Sequence, residues 1–256
     1  MRFLCGLFIL TLAAAAFAYH PVPVTKSAAE TALREALTKT DVDSVRLRLA
    51  REALERNPED IPLGRMAQDV LLKQMDDAVG YFKNQAQGSE SVAAHYLYGR
   101  AADDTTVTAE EARWILSRDP SNFWGHLLAG IAEWDKSKFD TAVVHRQFLA
   151  AVTSDPSRPE GYLYLGYFFQ DEERWPEARE VLDAGALTDS SSQAIRDARL
   201  TTYAELRDAD AFFKLIQGMY STRPLEADMP LANGTSRLTG TDLRGRPTVL
   251  EYWAYT

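Results

Sequence analysis

From Ser27 to Tyr220 apolar residues recur at i, i+3 and i+4 almost without a break, and the strict alternation of a half-buried strand is scarce. The pattern predicts a chain of amphipathic helices. Ser27…Glu30, Thr108…Glu111 and Ser157…Glu160 have the Ser/Thr-x-x-Glu form that satisfies free amides at a helix start. Pro176 suits a first helical turn, where its missing N–H costs nothing. Helix stops recur in one form: Glu55-Arg56-Asn57-Pro58, Ser117-Arg118-Asp119-Pro120 and Thr153-Ser154-Asp155-Pro156.

The stops share their upstream spacing. Ala50-x2-Ala53-x4-Pro58, Ala112-x2-Ile115-x4-Pro120 and Phe148-x2-Ala151-x4-Pro156 align position for position. Leu182-x2-Gly185-x4-Ser190 and Ile216-x2-Met219-x4-Pro224 continue the series, so that the endings at 156, 190 and 224 fall 34 residues apart. A 34-residue period of helix–turn–helix units is that of tetratricopeptide repeats. The segment Tyr162-x2-Leu165-Gly166-x2-Phe169-x8-Ala178-x3-Leu182 closely resembles that family's pattern. Gly166 and Ala178 are expected where two helices cross closely, with Tyr162, Leu165, Phe169 and Leu182 filling the space around the crossing. The unit before it keeps Leu128-Ala129-x2-Ala132 and Phe139-x2-Ala142, and the unit after it keeps Tyr203-x8-Phe212-x3-Ile216 but has Arg199-Leu200 in place of Leu-Gly. Upstream of about Asn122 only the second helices align, although Tyr96-Leu97-Tyr98-Gly99 marks another first helix.

The resemblance implies a mainly α fold, an α-α superhelix over 28–224, whose concave face receives a peptide or protein partner. It places Phe123, His126, Glu133, Trp134, Leu163, Tyr167, Gln170 and Asp197 on the groove-facing side of the first helices. The competing reading is that Phe123, Trp134 and Tyr167 only pack against the adjacent repeat, as aromatic stripes at helical spacing commonly do.

Composition changes at both ends. Met1-Arg2, the apolar run from Phe3 to Leu12 and the small-x-small ending Ala16-Phe17-Ala18 form a signal-peptide pattern over 1–18. The run is too short to favour a membrane span. An extended leader, 19–27, follows it. These features predict an exported protein, periplasmic or extracellular. Cys5 is the one cysteine, so a chain cleaved before Tyr19 has no disulfide, thiol nucleophile or thiolate metal site.

After Pro224 turn residues take over (Asn233-Gly234, Gly240, Gly245, Pro247), followed by the strand-like run Thr248-Val249-Leu250-Glu251-Tyr252-Trp253. The elements Met229-Pro230-Leu231, Asp242-Leu243-Arg244-Gly245-Arg246-Pro247 and Tyr252-Trp253-Ala254 resemble the opening of TlpA-type thioredoxin-like domains, up to their Cys-x-x-Cys. The segment 225–256 thus reads as an incomplete, β-containing start of such a domain. Thiol exchange requires a thiolate, and the sequence ends at Thr256 before any cysteine follows, so no complete catalytic site is expected. Two explanations remain open: part of a longer thiol-disulfide oxidoreductase whose repeats recruit substrate, or a shortened product with a coreless tail. An isolated apolar strand with unpaired edges promotes aggregation, which favours the first.

The remaining chemistry is sparse. Lys and Arg total 28 against 37 acids, a net charge of −9, with no basic cluster to hold a nucleic-acid backbone. His20, His95, His126 and His145 show no metal-ligand spacing, and there is no phosphate-cradling glycine loop or Gly-x-Ser-x-Gly. No cofactor or metal is expected, and the predicted partner is a protein or peptide.

Overall fold

In a computed structural model the chain is described over residues 19–220, 228–230 and 237–239, with side chains over 19–217. The predicted signal peptide and the thioredoxin-like elements from Leu231 onward, apart from the short strand at 237–239, lie outside the described residues. The chain divides into two compact units, up to Leu206 and from Arg207. The first holds eleven helices among the described residues: α1 (Ala28–Thr38), α2 (Asp43–Arg56), α3 (Ile61–Gln74), α4 (Ala78–Ala86), α5 (Val92–Ala101), α6 (Thr105–Arg118), α7 (Phe123–Trp134), α8 (Thr141–Ser154), α9 (Pro159–Asp171), α10 (Trp175–Thr188) and α11 (Gln193–Glu205). The second contains α12 (Ala209–Tyr220) and two short strands, β1 (Asp228–Pro230) and β2 (Arg237–Thr239), paired antiparallel with Met229 opposite Leu238.

The first unit is a stack of helix pairs in two layers. Each odd-numbered helix packs on the next, α1 on α3, α3 on α5, α5 on α7, α7 on α9 and α9 on α11. Each even-numbered helix packs on the following odd one, α2 on α3 through α10 on α11. The mainly helical, repetitive architecture expected from the periodicity is therefore present.

Its core follows the apolar spacing. Tyr162, Leu165, Phe169, Ala178 and Leu182 are all buried between α9, α10 and their neighbours. Gly166 sits where α9 crosses α10: a β-carbon there would lie 2.4 Å from a Leu182 methyl and 2.5 Å from its Cγ. Gly130 plays the same part in the preceding pair, where a β-carbon would meet the Phe148 ring at 2.4 Å. Helices this close need a residue without a side chain.

The pairs end in a repeated turn. Asp119, Asp155 and Asp189 each accept from the amide and hydroxyl of a serine two residues on, Ser121, Ser157 and Ser191. This side-chain turn replaces the helical hydrogen bond that the backbone can no longer make. It also corrects one predicted cap. Ser157 is held by Asp155, and α9 starts after Arg158 with Pro159, which has no N–H to satisfy. Thr108 is corrected too: the cap of α6 is Asp104, and Thr108 lies buried in the first turn, donating to the Gly99 carbonyl at 3.0 Å. Ser27 does cap α1, accepting from Glu30 N–H at 2.9 Å, and Pro176 is in the first turn of α10.

Between Pro58 and Pro120 the sequence shows no further repeat ending, and the structure places two pairs there, α3/α4 and α5/α6. Helix α4 spans nine residues and ends at a turn with Gly88 at φ +74°, without the proline that follows α2, α6 and α8.

Candidate binding face

The first unit curves so that the early turns of α3, α5, α7 and α9 converge. The Arg65 guanidinium on α3 donates to the Tyr96 hydroxyl on α5 at 2.8 Å. It lies 5.5 Å from the centre of the Trp124 ring on α7 and 3.9 Å from the Glu160 carboxylate on α9. Arg158 approaches the same Trp124 ring at 5.6 Å. A side chain of the second pair thus reaches one of the fifth, which only tight curvature permits. Burial opposes the Arg65 charge, but the facing Tyr96 and Glu160 oxygens outweigh it and hold its pKa above the usual arginine value. Burial pushes the Tyr96 hydroxyl up to about 12 against the opposing pull of Arg65. One turn further along, Arg100 on α5 donates to Gln68 and Asp69 of α3 at 2.5 and 2.6 Å.

Beside this cluster lies a cavity of about 300 Å³, bordered by Val24, Lys26, Arg34, Arg65, Arg158 and Leu163 among others. Glu160 also borders it, and its Oε2 is buried without a protein partner. Charges of both signs around a hollow with an aliphatic patch suit the polar backbone and apolar side chains of a peptide. Among the described residues no group of three or more His, Cys, Asp or Glu is placed to hold a metal.

The eight residues assigned to the groove do not share one surface. Leu163 borders the cavity. Tyr167 lies edge-on to Tyr164 with ring centres 6.4 Å apart, and its hydroxyl is pushed up by burial, by Tyr164 and by Asp197. Asp197 is exposed and accepts from Gln193 at 2.7 Å. Gln170 ties α9 to α11, its amide donating to the Ala198 carbonyl at 2.8 Å and the Thr202 hydroxyl at 2.7 Å. His126 and Glu133 face the second-helix layer instead. His126 pairs with Gln147 of α8, and Glu133 borders a hollow between α6, α7 and α8. Hydrogen bonds from Lys136 and the Asp140 amide hold the Glu133 carboxyl below its ordinary value.

Phe123 corrects the groove expectation outright. It is 6% exposed, edge-on to Trp124 and wedged against Gly161, so it is core between α7 and α9. Trp134 is half-buried, edge-on to Phe148 and Phe168, with its ring N–H donating to Asp171 at 3.2 Å. For these two aromatics packing against the adjacent repeat is what the structure shows. Arg65, Arg100, Tyr96 and Glu160 were not singled out for this face. Arg65, Tyr96 and Arg100 lie on α3 and α5, upstream of Asn122, where first helices could not be aligned because the end of α4 is unmarked, whereas Glu160 on α9 was read only as part of a helix-start motif.

No protein-family model matches the chain, and no curated protein matches its sequence. Among solved structures, a thermophilic tetratricopeptide protein of Thermus thermophilus, TTC0263, aligns at 14% identity over 78% of this chain and 93% of its own, with a TM-score of 0.45. A tetratricopeptide repeat protein from Parabacteroides merdae aligns at 9% identity over 76% and 80%, with a TM-score of 0.46. A MamA mutant aligns at 14% identity over 71% and 100%, with a TM-score of 0.43.

Proposed function

We propose that this chain is an exported, tetratricopeptide-like scaffold that binds a segment of another polypeptide along the face formed by its odd-numbered helices. The observation that carries the reading is the continuous contact of α3, α5, α7, α9 and α11, which brings Arg65, Glu160 and Leu163 to the border of one cavity, with the buried Tyr96 behind Arg65. A preformed concave surface binds without reordering its own backbone, which limits the entropy lost on association. Export rests on the pattern at 1–18.

The test is capture from the exported proteins of the source cell, comparing the wild type with Leu163→Ser/Tyr167→Ser and with Glu133→Lys. The reading expects a partner that is lost with the first variant and retained with the second. Equal capture by all three, or loss only with Glu133→Lys, refutes it.

The tail supports a second reading. The pattern from Met229 to Ala254 resembles a TlpA-type domain, and a chain continuing into Cys-x-x-Cys would be a thiol-disulfide oxidoreductase whose repeats recruit substrate. The intact mass of the natively expressed protein, read with its coding sequence, tests this directly.

A further inference from the structure

Residues Tyr19 to Lys26 belong to no helix or strand, yet they are held at several points along the first unit. The Val22 amide donates to the Pro156 carbonyl at 3.1 Å and the Val24 amide to the Thr188 carbonyl at 2.9 Å. In an extended chain residues two apart point the same way, so both donors face one side. Their acceptors lie at the ends of successive repeats, just after α8 and at the last residue of α10. Thr188 is among the terminal carbonyls that no intrahelical amide can reach, and the leader supplies the missing donor.

The intervening residues, Pro21 and Pro23, have no N–H, so from 21 to 24 the leader presents no amide that lacks a partner. Two side chains fix the ends. Tyr19 packs edge-on against the buried Tyr162, ring centres 6.1 Å apart, and burial, with Glu180 nearby, pushes its hydroxyl up to about 12. The Lys26 ammonium lies 3.0 Å from Asp189 and 2.9 Å from the Ser191 hydroxyl, at the C-terminus of α10 where the helix dipole also favours a cation. The side chain of Val22, by contrast, points largely to solvent, with the residue 48% exposed. The leader is thus gripped through its backbone and its two ends, and main-chain hydrogen bonds are a recurring way of holding an extended peptide. Val24 and Lys26 also form one wall of the cavity that borders Arg65, Glu160 and Leu163.

We propose that Tyr19–Lys26 is a ligand bound in cis, on a docking strip made by the turn after α8, the end of α10 and the turn into α11. The strip accepts in exchange an extended segment of a partner polypeptide with the same chemistry: an aromatic residue, alternating prolines, and a lysine seven residues after the aromatic. Exchange removes a wall of the cavity and opens the inner face. This deepens the scaffold reading and rests on it only for the existence of a partner, since the exchange itself is measurable without one.

The experiment uses the full chain and a synthetic peptide of residues 19–26 with blocked ends. In Val22→Pro/Val24→Pro both amide donors are removed while the leader keeps its extended geometry. This variant is expected to bind the peptide. The wild type is expected to bind it at least about tenfold more weakly, because the tethered leader competes at an effective concentration of order millimolar. Adding Asp189→Lys, which repels Lys26, is expected to abolish peptide binding. In the wild type, millimolar peptide should speed hydrogen exchange at Val22 and Val24 while α9 and α10 stay protected.

The proposal is overturned if the variant keeps its helical signal and ignores the peptide. Loss of helical signal on weakening the leader overturns it too, because the segment is then a permanent part of the fold. A dimer formed by leader exchange overturns it in favour of a second copy as the occupant. None of these outcomes depends on whether a natural partner is captured on the inner face.

Discussion

The crossing of α9 and α10 gives the sharpest quantitative test of the packing argument, through Gly166→Ala in two backgrounds. The three atoms nearest a new β-carbon all belong to Leu182, at 2.4, 2.5 and 3.2 Å, and Leu182 is fully buried. One of them is the Cγ, which cannot swing aside without moving the whole side chain. Overpacking of this kind costs about 1–3 kcal/mol, and a conflict with a branching carbon belongs near the upper end. Alanine recovers about 1 kcal/mol of helix propensity over glycine. The net expectation is a loss of about 2 kcal/mol, or roughly 4–8 °C in melting temperature for a unit of this size. Leu182→Ala alone should cost about 2–5 kcal/mol by opening a cavity. In that background Gly166→Ala has lost its three nearest obstacles. It should then stabilise, by about 1 kcal/mol from propensity and up to about 0.8 kcal/mol from burying a methyl group. The sign of one substitution therefore reverses, with a coupling energy of about 3 kcal/mol. Urea and thermal unfolding followed by circular dichroism supply the four stabilities. An additive cycle, or a Gly166→Ala that stabilises the wild type, would refute the close-crossing account of this repeat.

Further expectations concern charge and titration. Partial burial raises the Asp155 and Asp189 carboxyls, but hydrogen bonds from Ser157 and Ser191, with help from Arg158 and Lys26, outweigh it and leave both below 3.8. A depressed carboxyl stabilises the fold above its unfolded value and loses that contribution as pH falls through the folded one. Melting temperature should accordingly drop below about pH 4, and Ser191→Ala should blunt that drop; an unchanged acid profile would contradict the turn argument. Tyr19, Tyr96 and Tyr162 are each pushed up to about 12, chiefly by burial. Their contribution is complete below pH 10 and is lost as pH rises through 10 to 12, so absorbance titration should show a late-ionising tyrosine class that vanishes on unfolding. Glu160→Ala should cost about 1 kcal/mol, the low end for a hydrogen-bonded or charged contact, because its 3.9 Å approach to Arg65 is loose. A cost above about 3 kcal/mol, the upper end of that range, would mean that Glu160 carries more of the Arg65 charge than this geometry implies.

Much of the fold was legible in the residues because the cues are local. A helix pair of 34-residue period writes its crossing point as Gly166 and Ala178, its stop as an aspartate two residues before a serine, and its core as large apolar residues at helical spacing. Those cues failed where a local competitor intervened. Ser157 was captured by Asp155, and Thr108 turned inward to the Gly99 carbonyl.

The binding face was less legible. Which side of a first helix is free depends on how strongly successive pairs rotate, a sum of small angles that no single repeat encodes. That rotation buried Phe123, turned His126 and Glu133 toward the second-helix layer, and carried Arg65 across to Glu160, 95 positions later in the chain. The leader shows the same division. An extended leader is expected over 19–27, but a sequence cannot say which carbonyls its amides will meet. Local propensity, capping and spacing determined the helices and their pairing, because each is settled within a few turns of chain. Only the tertiary structure decided which side chains share a surface, because that depends on curvature accumulated over the whole stack.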